Sequence, residues 1–216
     1  MSTARDLVLV ALTLPTGDIA GQGDLSLALA GAEAIDLLRR GALSLDGDCM
    51  VPGPRVVPGP RTVSDDPLLD QADATLVRHE PYETIHEWLW RRGDDLVPAY
   101  ADALERAGLV VHPHGHRLRL LSGPAVPADT QERREAEERR ASGEPVLNDL
   151  LAALGVQGAA ITEGREDERP ESEDSSLDDD VTTVLAAVGD AVTELAAARL
   201  RRDVESAAFD NVWRGW

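Results

Sequence analysis

The sequence contains no lysine: all 21 of its basic residues are arginine. That excludes a Schiff-base lysine, a P-loop whose lysine reaches nucleotide phosphates, and a lysine general base. Cysteine is almost as scarce. Cys49 stands alone, so neither an intramolecular disulfide nor a multi-cysteine zinc or iron–sulfur site can form, which fits a reducing compartment. No apolar run approaches the roughly 18–20 residues of a membrane-spanning helix. In the first residues, Asp6 abuts the apolar run and no small-residue cleavage site follows, unlike a secretory signal. The expectation is a soluble, cytoplasmic chain that touches a membrane only from its cytoplasmic face.

Positive charge is also short. The 21 arginines face 40 Asp and Glu, a net charge of −19 with neutral histidines, which argues against nucleic acid as a partner. Apolar residues make up 43% of 216 residues, enough for a core. At about 100–200 residues per domain the chain reads as one domain.

Asp6 to Leu14 is an apolar segment of ambiguous type, helix or strand, closed by the turn Pro15-Thr-Gly-Asp18. Asp24 is placed to cap a helix carrying Leu25, Ala28, Leu29, Ala32, Ile35 and Leu38, with Arg39 and Arg40 in its last turn and Gly41 at the C′ position. Leu43 and Leu45 alternate with small residues, and Asp46-Gly47 predicts a hairpin returning through Cys49 and Val51. The proline- and glycine-rich stretch Pro52 to Pro60 reads as a loop rather than a polyproline ligand. Asp66-Pro67 opens a helix through Leu76, Pro81 is expected to open another through Trp88, and a third runs from about Asp94 to Arg106 and ends at Gly108.

Leu109-Val-Val111 and Leu118-Arg-Leu120 predict a second hairpin. Asp129 to Arg140 interleaves both charge signs as a solvated helix does, and a short apolar helix follows over Val146 to Leu154. Residues 163–180 hold ten acidic side chains against two arginines and are expected to be a disordered acidic insert, suited to a basic protein partner. The last helix, about 181–208, aligns Val181, Val184, Leu185, Val188, Val192 and Leu195 into a core-facing stripe. Beyond it Phe209, Trp213 and Trp216 follow helical spacing and are read as anchoring the end of the chain.

Candidate chemistry is sparse. His112, His114 and His116 alternate around Pro113 and Gly115, but a turn gives no rigid face and no carboxylate or cysteine stands beside them, so no metal site is assigned. Cys49 has no histidine near it in sequence and no Gly-x-Ser-x-Gly elbow occurs, so no enzyme is expected, and neither catalytic residues nor cofactors are assigned.

Five blocks, in order, resemble the Golgi phosphoprotein 3 family, as a bacterial member. They are Asp6 to Leu14, Leu29-Ala-Gly-Ala-Glu-Ala-Ile-Asp-Leu-Leu-Arg-Arg-Gly-Ala-Leu-Ser-Leu45, Asp66-Pro-Leu-Leu-Asp70, Glu83-Thr-Ile-His-Glu-Trp88 and Leu104-Glu-Arg-Ala-Gly-Leu-Val110. The resemblance implies a mainly α fold, a single compact helical domain with small β-hairpins over residues 1–216. It implies a peripheral membrane adaptor that binds phosphatidylinositol 4-phosphate through a tryptophan and several arginines. In this chain the tryptophan position falls near Gly21, one arginine at Ala30, and two more near Asp94 and Val97. Arg91 and Arg92 are the nearest substitutes for an anionic phospholipid headgroup. The family's membrane-contact hairpin corresponds to Leu109 to Leu121, whose tip carries His112, His114, His116 and Arg117. With the headgroup ligands replaced, the alternative is a cytosolic protein-interaction module of the same fold that binds no lipid.

Overall fold

The computed structural model describes residues 2–14, 21–54, 66–111, 126–156 and 173–213. The ambiguous first segment is a helix, α1 (Thr3–Thr13), capped by the Ser2 hydroxyl, which accepts from the Arg5 N–H. Residues on every side of it are buried, Asp6 through Ala11 without a break. A helix enclosed on all faces has no amphipathic period, which is why its type was unreadable from the pattern.

The central helix α2 (Gln22–Arg39) is also enclosed, with every residue from Ser26 to Leu38 buried. Its N-cap is Gly21 and not Asp24, as the sequence suggests; Asp24 lies inside the first turn, where its carboxylate is taken by a distant arginine described below. The other end matches expectation. Gly41 adopts φ +65°, and the N–H groups of Gly41 and Ala42 reach back to the carbonyls of Leu38 and Leu37, closing the helix in a Schellman motif.

Strands β1 (Leu43–Asp46) and β2 (Cys49–Pro52) pair antiparallel with Asp46 opposite Cys49, so the two turn residues are Gly47 and Asp48, one position later than predicted. Helix α3 (Pro67–Thr75) starts as expected, Asp66 accepting from the N–H groups of both Leu68 and Leu69 at 3.1 Å. Helix α4 (Ile85–Gly93) does not start at Pro81. Thr84 and Glu87 form a reciprocal capping box, the stronger local signal, and Pro81 stays outside the helix. Helix α5 (Leu96–Arg106) ends at Gly108, φ +72°.

The second hairpin is wider than predicted. Strand β3 (Val110–Val111) pairs antiparallel with β4 (Val126–Pro127), and the expected return strand Leu118 to Leu120 lies outside the described residues. Helix α6 (Gln131–Ala141) is capped by Thr130 and α7 (Pro145–Ala153) by Glu144. Although α6 is highly charged it is not merely solvated, since Ala136 is fully buried and the helix packs on α1.

Helix α8 (Glu173–Trp213) is longer than expected at both ends. It absorbs residues 173–180 of the segment expected to be disordered. Carboxylates are favoured in a helix's first turns, and the Asp180 side chain accepts from the Leu45 N–H at 3.1 Å, fastening α8 to β1. The rest of that acidic segment lies outside the described residues, as do Trp216 and the side chains of Phe209 and Trp213. Half of the predicted stripe is buried, Val181, Val184 and Val188, while Leu185, Val192 and Leu195 are only partly covered and Ala191 joins the buried face.

One stretch of α8, Ser176–Ser206, is long and apolar enough to cross a membrane by length and composition, contrary to the sequence expectation. Its apolar residues are spread through alanine and threonine, so no continuous run announces it. In the fold one face of the helix packs against α2, α4 and α7, while Leu200 and Val204 farther along stay exposed. Gly31 allows a close approach of α2 and α8, since a Cβ there would meet Val188 Cγ2 at 2.3 Å. Beside it Trp88 is wholly buried, its indole N–H donating to the Ala30 carbonyl at 3.0 Å.

Candidate functional site

Helix α4 brings together the two arginines singled out in the sequence and immediately spends both. Arg92 binds Glu33 of α2 through two nitrogens, at 2.7 and 2.9 Å, and donates a further bond to the Leu68 carbonyl. The Glu33 side chain has no exposed surface and also accepts from the Tyr100 hydroxyl at 3.1 Å. Burial raises the Glu33 pKa and the Arg92 contact opposes that rise. Burial and the neighbouring Glu33 charge push the Tyr100 hydroxyl well above its usual value, so it stays a donor.

Arg91 is held in the same manner by Glu83, at 2.7–3.0 Å, and by the Thr75 carbonyl at 3.3 Å. Its guanidinium carbon lies 5.2 Å from the centre of the Trp88 ring. Forked guanidinium–carboxylate pairs are the strongest of the ordinary side-chain hydrogen bonds.

Three further buried carboxylates are paired far along the chain, and none of these pairs was foreseen. Asp24 binds Arg199 of α8 at 2.6 and 2.8 Å. Asp36 accepts from the Thr3 hydroxyl at 2.7 Å. Asp6 pairs with Arg139 of α6, leaving its second oxygen without a partner. Burial pushes the Asp6 carboxyl up to about 6, against the pull of Arg139.

Where the N-terminal turn of α2, the end of α4 and the middle of α8 converge, they enclose an open cavity of about 630 Å³. Gly23, Ser26 and Leu27 form its α2 wall and Leu195 its α8 wall. Trp90 and Arg91 stand on the α4 side, and Asp94 and Asp95 form the corner leading into α5. Trp90 Nε1 lies 3.1 Å from His86 Nε2, and the same His86 nitrogen lies 3.0 Å from Glu194 Oε2 of α8, so it either accepts from the indole or donates to the carboxylate, not both. At position 23 the backbone lies close under α8, since a Cβ there would meet the Arg199 guanidinium at 2.9 Å and Leu195 Cδ2 at 3.0 Å.

The tip residues His112, His114, His116 and Arg117 lie outside the described residues, so only the base of that hairpin, β3 with β4, is placed. Among the described residues no group of three or more histidine, cysteine or acidic side chains is arranged to hold a metal ion. Cys49 is a free, half-buried thiol. Desolvation and the neighbouring Asp48 raise its pKa, so it carries less thiolate at neutral pH than an ordinary cysteine.

The cavity was not legible beforehand, because its walls come from three elements separated by long stretches of chain. Its one sequence signal was the replacement of arginine by Asp94 in the resemblance described above. Compared with known proteins, the chain matches the family model described as Golgi phosphoprotein 3 (GPP34) over residues 4–209. No protein of curated function matches it.

Proposed function

The chain belongs to the Golgi phosphoprotein 3 family, and from that premise we propose that it is a non-enzymatic, cytoplasmic binding module that holds a protein partner of basic character rather than a lipid headgroup. The observation that carries this reading is the engagement of Arg91 and Arg92, each forked onto a carboxylate that is itself almost wholly buried. A phosphorylated headgroup brings two or more negative charges and needs guanidinium forks to replace its hydration. Redirecting Arg92 to such a ligand would strand Glu33, and an uncompensated buried charge costs about 3–5 kcal/mol. The cavity's free charges are the carboxylates of Asp94 and Asp95, and the chain as a whole carries −19. That surface repels an anionic leaflet and attracts a basic protein segment.

A second reading, a peripheral membrane adaptor for phosphatidylinositol 4-phosphate, has one observation in its favour: the Arg91 side chain keeps 44% of its surface exposed on the cavity wall. Liposome flotation separates the two. Vesicles of neutral lipid, of phosphatidylglycerol and of phosphatidylinositol 4-phosphate are expected to leave the protein unbound at physiological salt. Headgroup-selective flotation that persists at physiological salt and disappears in Arg91→Gln would overturn the protein-partner reading in favour of the adaptor.

A further inference from the structure

Asp6 is wholly enclosed on α1, yet only one of its two carboxylate oxygens is engaged. Oδ2 takes the Arg139 guanidinium of α6, while Oδ1 accepts no hydrogen bond from any described residue. An ionised oxygen enclosed in that way bears its full desolvation cost, which either a proton or access to water removes. The helix that covers it is lightly held. Of the eleven residues of α6 only Ala136 is buried, and helical spacing sets the half-buried Glu132, Arg133 and Arg140 on the same side. Arg139 also has a second carboxylate in range, Glu144 Oε1 at 3.8 Å, and the Glu144 N–H donates to the Arg139 carbonyl at 3.1 Å, so this alternative partner stays with the end of α6.

We infer that α6 is a pH-gated cover on α1, closed while Asp6 carries a proton and opening more readily once Asp6 is ionised. In the open arrangement the orphaned oxygen meets water and Arg139 keeps Glu144 as its counter-charge. What is uncovered is α1, otherwise buried without a break from Asp6 through Ala11. Under the closed cover burial holds the Asp6 carboxyl up to about 6, against an ordinary 3.8 that exposure to water restores. The opening constant therefore grows on the order of tenfold between pH 5 and pH 7 and levels off above that.

The charges that bear on Asp6 are Arg139, the α-amino group, Asp36 of α2 and Arg5 on α1 itself. Asp36 is satisfied within the α1–α2 contact, by the Thr3 hydroxyl and the Ala4 N–H, so it does not depend on α6. Arg39 of α2 donates to Thr3 and lies 3.6 Å from Glu144. Of the other elements on α1, α7 brings Asp149 and β4 brings no titratable side chain.

Amide hydrogen exchange, read by NMR on the 15N-labelled full chain from pH 5 to pH 8 and corrected for the intrinsic pH dependence of exchange, tests the cover. Protection of the α6 amides is expected to fall on the order of tenfold from pH 5 to pH 7 and to respond little to low urea, as a local opening does. The α2 amides are expected to stay better protected than those of α6 at every pH, with the steep urea dependence of global unfolding. Asp6→Asn is expected to flatten the pH response of α6. Arg139→Gln removes the counter-charge and is expected to carry the response to higher pH, whereas Glu138→Gln, on the exposed side of α6, is expected to leave it in place.

Flat α6 protection in the parent chain would overturn the cover. So would α6 amides that share the protection and urea dependence of α2, since the helix would then open only with the whole fold. Both results come from the parent chain alone and need no variant to fold. A pH response that persists unchanged in a folded Asp6→Asn chain would assign the titration to another group and overturn the role of Asp6.

Discussion

Glu33, on α2, and Asp94, at the C-terminal end of α4, live under opposite conditions. Glu33 is enclosed on α2, with both oxygens on Arg92 and a third bond from Tyr100, so its charge is consumed in fixing how α2, α4 and α5 sit together. Asp94 stands exposed at the cavity corner with no partner among the described residues. The chain thus uses the same chemical group as an internal clamp and as an open surface charge. Enclosure decides which: a buried carboxylate must be paired to persist, while a solvated one keeps its charge available.

The largest expected effect comes from breaking an internal clamp. Glu33→Ala leaves the Arg92 guanidinium, 11% exposed, without its counter-charge, and urea unfolding is expected to show a loss of about 3–5 kcal/mol. Replacing both partners with leucine is expected to recover most of that loss. If it does not, the pair contributes net stability and the clamp is more than a specificity device.

Next in size is the apolar seam beside it. Gly31→Ala places a methyl against Val188 Cγ2, and overpacking of this kind costs about 1–3 kcal/mol. Adding Val188→Ala is expected to restore part of the thermal midpoint.

Asp6 gives the comparison a pH axis. Its carboxyl titrates at about 6 in the folded chain against an ordinary value of 3.8, so the native state holds a proton that the unfolded state releases. The penalty of burying the charge is therefore full above pH 6 and is relieved as the pH falls through 6 toward 4. Thermal midpoints of the parent chain relative to Asp6→Asn are expected to rise between pH 7 and pH 5. A flat difference would show that Arg139 compensates Asp6 completely. Smallest is the effect at the cavity corner, where Asp94→Asn with Asp95→Asn is expected to shift stability by no more than about 0.5 kcal/mol, since no internal partner is lost.

What could be read from the sequence were features whose causes are local. Asp66 before Pro67, the glycines at 41 and 108 and the valines at 181, 184 and 188 of α8 each act within a turn or two of chain, and each stands where the residues place it. Errors came where two local signals competed, as Pro81 did with the Thr84–Glu87 box, or where tertiary contact reassigned a residue, as Arg199 took Asp24 away from a capping role. The position of Arg91 and Arg92 on α4 was legible. Their commitment was not, because Arg92 finds Glu33 across 59 residues of sequence.

The seam between Gly31 and Val188 also has a bearing on biosynthesis. These two contact points are separated by more than a hundred residues, so α2 emerges from the ribosome long before the helix that covers it. At about 5–20 residues per second the wait is on the order of ten seconds. During that time the buried apolar residues of α2, Leu27, Leu29, Ile35 and Leu38 among them, stand uncovered on the nascent chain.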